Sequence, residues 1–175
     1  SQILRLRLDA VVLNVPANTG LVPQKVMTNS ASVTFAGNPN PPVVVVGPPV
    51  TLIEPQIGIS KGVSPDRGDA GDEITITLVA TNSGLATAYD LLVEDALDGA
   101  VFNVASITNV SMPEGFVFST IPGPADVTVR YASDVGSGQA TNTLEAGESL
   151  QFVFTAHLAQ DVEPGAFYTN AVAFQ

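Results

Sequence analysis

Three polar residues stand in the apolar phase of segments that read as β-strands. In Ile57-Gly58-Ile59-Ser60-Lys61-Gly62-Val63, alternation places Lys61 on the face of Ile57, Ile59 and Val63. In Leu91-Leu92-Val93-Glu94-Asp95-Ala96-Leu97, Asp95 shares a face with Leu91, Val93 and Leu97. In Tyr168-Thr169-Asn170-Ala171-Val172-Ala173-Phe174, Asn170 is in phase with Tyr168, Val172 and Phe174. An amine, a carboxyl and a carboxamide directed at one core are the parts of an intramolecular Lys–Asn cross-link. Apolar surroundings weaken the hold of a lysine on its proton and leave a neutral amine nucleophile. Burial also disfavours a carboxylate, and a neutral Asp95 can hydrogen-bond the Asn170 carboxamide and polarise its carbon. Folding supplies the proximity. The product is an amide between an early and the last strand, with loss of one ammonia. A competing reading needs no reaction: Lys61 extends to a sheet edge and pairs with Asp95 or Glu94, while Asn170 bonds a neighbouring backbone group.

The elements that must position these residues are strands. Hydrophobic residues make up 45% of the chain, enough for a core. Val, Thr and Ile fill the apolar runs, while 15 Gly and 13 Pro interrupt them, which favours an all-β protein with many turns. No period of 3.6 survives the glycines and prolines, and no apolar run is long enough to span a membrane. No secretory leader pattern stands at the start, and the opening on Ser1 without Met is expected of a processed or cut-out piece. With 17 acids against six bases the net charge is −11, so no basic stripe is available for nucleic acid. An acidic, lysine-poor surface suits a secreted or cell-surface location. There is no cysteine, so disulfides cannot staple the fold.

Two parts of the chain resemble each other. Residues 3–12, ILRLRLDAVV, resemble 150–159, LQFVFTAHLA; residues 28–35, TNSASVTF, resemble 169–174, TNAVAF. Each reads as a closing hairpin, so 1–36 is expected to be the closing hairpin of a preceding repeat. On that basis 3–12 should pair with 26–35. Residues 37–54 read as a Pro-rich linker, in which Val43–Val46 pairs as a short edge strand or lies extended. Residues 55–175 read as a complete immunoglobulin-like antiparallel β-sandwich. Its strands are expected at 56–63, 73–82, 89–97, 101–109, 116–121, 126–132, 149–158 and 167–174.

The run KGVSPDRGDAGDEITITLVATNSGLATAYDLLVEDAL, followed downstream by GESLQFVF and TNAVAF, resembles the bacterial surface repeat known as domain of unknown function 11. The resemblance covers about 56–175, and its closing part recurs at 3–36. Where that family has Leu-Pro-x-Gly after the middle Asp, this chain has Ala96-Leu97-Asp98-Gly99. The arrangement is also similar to Cna A-type isopeptide-forming adhesin domains. By order and phase their Lys, Asp and Asn fall on Lys61, Asp95 and Asn170, with Asp95 as the proton-sharing acid. These resemblances imply an extracellular or cell-surface structural or adhesive role, with neighbouring repeats of the same protein as partners and an unidentified surface ligand.

Other chemistry has less to stand on. Asp66, Asp69, Asp72 and Glu73 form an oxygen-rich turn of the kind calcium uses, but the spacing is not that of an EF-hand and Gly71-Asp72 is explained by the turn itself. No metal ligands are assigned and no cofactor is expected, with calcium left open as the one alternative. Arg67-Gly68-Asp69 is read as a chance tripeptide, and Asn109-Val110-Ser111 is a sequon relevant only in a glycosylating host. His157, the single histidine, falls out of the apolar phase of its strand. No nucleophile–base constellation or phosphate loop is present, so no enzymatic activity is expected. Three functions remain: a stalk or spacer repeat, a filament subunit assembled by strand addition, and a carbohydrate- or protein-binding module. The last is disfavoured by the absence of Trp and by only three Tyr.

Overall fold

The computed structural model describes residues 5–11, 25–37, 42–133, 143–163, 168 and 172–174. The chain divides into two compact units, Ser1–Glu54 and Pro55–Gln175. Every regular element among the described residues is a strand, and every pairing is antiparallel.

In the first unit, Val26–Met27 (β1) pairs with Val50–Thr51 (β4), and Ser30–Val33 (β2) pairs with Val43–Val46 (β3). Backbone bonds from Gly47 N to Asn29 O (2.7 Å) and from Leu52 N to Lys25 O (2.8 Å) extend the pairing. The result is one ribbon, 25–33 against 43–52. It breaks at Pro48-Pro49, where two residues carry no N–H to donate. This differs from the expected hairpin of 3–12 with 26–35, and residues 5–11 form no strand. It also makes part of the expected 37–54 linker into sheet. Four β-branched residues in a row suit an extended, paired backbone. They also reach 30–33 through a shorter loop than 3–12 would, at lower closure entropy.

The second unit is a two-layer β-sandwich. One sheet has the order β5-β6-β11-β8, from Ile57–Ser64 (β5), Glu73–Asn82 (β6), Ser149–Leu158 (β11) and Phe102–Ser111 (β8). The other has the order β12-β7-β10-β9, from Val172–Phe174 (β12), Val93–Asp98 (β7), Asp126–Ser133 (β10) and Phe116–Pro122 (β9). Alternation decides which side chains line the interior. On β6, Ile74, Ile76, Leu78 and Ala80 are buried between threonines, and on β11 Phe152, Phe154 and Ala156 repeat the pattern. From the opposite sheet Val93, Leu97, Val127, Val129 and Tyr131 meet them. Tyr131 packs on Phe152 with ring centroids 4.8 Å apart, and Phe116 meets Phe152 edge-on at 4.9 Å.

Two strand ends depart from the sequence pattern. β7 begins at Val93 rather than 89, because Ala88 forms a bridge to Leu144 and Asp90 adopts φ 54°, a left-handed turn conformation. β12 is described only over 172–174, and Tyr168, expected inward, is exposed. Asn82, the last residue of β6, is fully buried. Its Oδ1 accepts from the backbone of Gln56 and Gly84 (both 3.0 Å), and its Nδ2 donates to the carbonyls of Ala86 (2.8 Å) and Leu144 (2.9 Å). One carboxamide thus joins the start of β5, the turn after β6 and the segment before β11. Gly147, at φ +82°, completes this corner by donating its N–H to the Asn82 carbonyl, in a backbone conformation that side chains disfavour.

Candidate cross-link site

The β5 strand alternates as its sequence requires: Ile57, Ile59 and Lys61 turn inward, while Gly58, Ser60 and Gly62 face solvent. Val63, expected on the inner face, is exposed near the strand end. On β7, Val93, Asp95 and Leu97 are buried between Glu94, Ala96 and Asp98. Because β5 and β7 belong to opposite sheets, their inward faces oppose each other. Lys61 therefore reaches across the interior, and its Nζ donates to both Asp95 oxygens, at 2.6 Å to Oδ1 and 2.5 Å to Oδ2. Asp95 has no solvent exposure, and the Lys61 side chain retains 9%. Of the two acids that sequence offered to Lys61, the structure selects Asp95. Glu94 points the other way and pairs with Arg130 at 3.5 Å.

Burial lowers the Lys61 pKa from its ordinary value, because the ammonium loses water; the hydrogen bond and charge of Asp95 offset part of that loss. The balance of these effects moves the amine toward the neutral form that can act as a nucleophile. Tyr131, diagonal to Asp95 on the neighbouring β10, is also buried. Its phenol is pushed above the usual tyrosine value, first by desolvation and then by the Asp95 charge. Its hydroxyl donates to Asn109 Oδ1 at 3.3 Å. The site is therefore a dry amine–carboxyl pair with a neutral phenol beside it.

The last strand comes to this point. Val172 of β12 lies opposite Asp95 in the β7–β12 ladder, and β12 also runs close to β5. Asn170 itself lies outside the described residues. In sequence it is two residues before Val172, the spacing that keeps one face of a strand. The structure thus brings Lys61 and Asp95 together and sets the segment that follows Asn170 beside them.

Tyr131 and Asn82 were not singled out from sequence, although the signal that exposed Lys61 applies to both. Tyr131 continues the buried phase of Val127 and Val129, and Asn82 continues that of Ile74 through Ala80. A polar group at the inward end of an apolar alternation was legible in each case. The acidic turn has a local explanation: Asp72 Oδ2 accepts from Asp69 N (2.7 Å), and Asp69 Oδ1 accepts from Ala70 N (2.8 Å). Among the described residues no group of three or more His, Asp or Glu side chains converges as metal ligands would. His157 Nδ1 donates to the Gly71 carbonyl at 2.9 Å, so the histidine clamps the same turn. No protein-family model matches the chain, and no curated protein matches it either.

Proposed function

We propose that this chain is a non-enzymatic, load-bearing repeat of an extracellular or cell-surface protein, and that its 55–175 sandwich is closed by an amide between Lys61 and Asn170. One observation carries the reading. The only lysine of the second unit is desolvated against a fully buried aspartate, and the strand Val172–Phe174, which follows Asn170 in sequence, pairs with the strand of that aspartate. A buried ion pair is costly to desolvate and is weak evidence of stabilisation by itself. A reaction gives such a pair a purpose.

In the proposed step a proton passes from the Lys61 ammonium to Asp95, leaving both groups neutral. The Nζ lone pair attacks Cγ of Asn170 while the Asp95 hydroxyl bonds the carboxamide. The new C–N bond forms, the old one breaks, and the carboxamide nitrogen leaves as ammonia with a proton taken from Nζ through Asp95. No oxidant or cofactor enters this balance. The antiparallel β-sandwich, the sequence resemblance to surface repeats and the absence of cysteine support the same reading. A chain without disulfides that must bear tension gains from tying its first strand to its last. Neighbouring repeats of the same protein are its partners under this reading.

Intact mass under denaturing conditions is the test. The expected mass is that of the sequence less one ammonia, restored to the full value in Lys61→Ala, Asn170→Ala and Asp95→Ala. A wild-type protein of full mass, yielding free Lys61 and Asn170 peptides on digestion, overturns the proposal.

A further inference from the structure

The first unit leaves its apolar side chains uncovered. Ala31 lies opposite Val45 and Val33 opposite Val43, so these four share one face of the ribbon. All four are exposed, and Val33, Val43 and Val45 are each more than 60% exposed. In the segment 5–11, Leu6 and Leu8 are 84% and 89% exposed. A two-stranded ribbon is marginal alone in water, and an uncovered apolar face of this kind marks a binding surface.

The second unit indicates what covers it. On β11 the buried side chains are Phe152, Phe154 and Ala156. With Ile3 set against Ser149, one residue from the register of the internal similarity, Leu6, Leu8 and Ala10 fall in that apolar phase. Thr28-Asn29 matches Thr169-Asn170, which sets Ala31 where Val172 stands, and Val172 packs against the sandwich core. β11 and β12 do not pair with each other: β11 lies between β6 and β8 of one sheet, and β12 lies against β7 of the other. Segments equivalent to them should therefore not pair either, and 5–11 does not pair with 26–33. The edges agree as well. β12 uses one edge for β7, whereas β2 uses one edge for β3 and has no described partner on the other.

We infer that residues 5–11 and 26–33 are the two closing strands of a second sandwich, one for each of its sheets, and that the partner they fit is a body equivalent to residues 55–148. This rests on the repeat reading above and replaces a closing hairpin by two separated strands. Asn29 then stands where Asn170 stands, facing the lysine of that partner body.

The test is a chimera in which residues 55–148 are joined directly to Ile3 of the chain, so that Ile3 takes the place of Ser149. Hydrogen exchange of peptides covering 5–11 and 26–33 is compared with that in the chain alone. Slowing by about a hundredfold in the chimera is expected. Leu6→Asp with Leu8→Asp should abolish that slowing in the chimera while leaving the melting of the 55–175 sandwich unchanged in the chain alone. If the cross-link chemistry holds, the chimera also loses a second ammonia, through the grafted Lys61 and Asn29. Exchange reports strand completion and mass reports the bond, so the two ideas fail separately. Equal exchange in chimera and chain overturns the inference. So does a chain that sediments as a dimer with β2 and β3 already protected, since a second copy would then cover the ribbon.

Discussion

Replacing Lys61 and Asp95 together by apolar residues, Lys61→Met with Asp95→Leu, separates the covalent site from a plain ion pair by the sign of the stability change. The pair is almost wholly removed from water, with exposures of 9% and 0%. Exchanging such a pair for apolar side chains of similar size is neutral or stabilising by about 1–4 kcal/mol. If no bond forms, the double variant should melt at or above the wild type. If the amide forms, the variant also opens a loop of roughly 100 residues, worth about 4.7 kcal/mol in the chain-entropy treatment of disulfides. The amide leaves no charged pair to exchange, so the net change is then a loss of about 5 kcal/mol, or roughly 4 °C of melting temperature per kcal/mol for a unit of this size. Urea and thermal melts measure it, with the m-value checked for constancy. If no bond forms, the single variant Lys61→Met should lose about 3–5 kcal/mol, because the Asp95 carboxylate loses the ammonium buried against it. A double variant more stable than wild type, from a wild type of full mass, refutes the reasoning.

Three further outcomes are expected. Asn82→Ala removes four hydrogen bonds at the corner joining β5, β6 and the approach to β11, and should cost about 3 kcal/mol or more in urea melts. Phe154→Ala empties a fully buried position on β11 and should cost about 3–5 kcal/mol by the same assay. In Asn170→Ala, where Lys61 stays a free amine, its depressed pKa means that the unfolded chain holds more protons just below pH 10.5. Stability should therefore rise with pH toward that value. Tyr131 acts in the opposite sense: its raised pKa means that the unfolded chain loses the phenolic proton first, so stability should fall above pH 10. Melts of this variant across pH 8–11 should thus pass through a maximum near pH 10, and a monotonic profile would contradict the assignment.

Strict alternation made most of the sandwich legible. The β6 and β11 strands run over 73–82 and 149–158, as read from sequence, because each buries one face against a second sheet and a one-residue slip would expose all of it. The same rule located Lys61 and Asp95, since the inward phase of a strand is set locally. It could not say that they touch, because contact depends on which sheet each strand joins, and β5 and β7 are placed by long-range pairing. The pairing in the first unit is legible only in part, for a related reason. Val43–Val46 fits an extended backbone in any setting, and its prolines suggested a linker, yet the valines pair with 30–33. Local composition fixed the conformation there without fixing the partner.

Lys61 and Asp95 are 34 residues apart and stand on opposite layers, joined by no shared ladder. A chain with all its strands formed but its layers still apart would keep both groups hydrated and charged, and nothing could react. Only closure of the two layers with both strands in register dries the pair. If an amide follows, it outlasts the closure that allowed it, and later unfolding does not erase it. Each molecule would then carry a permanent chemical memory of having folded once, readable long after the fold itself is lost.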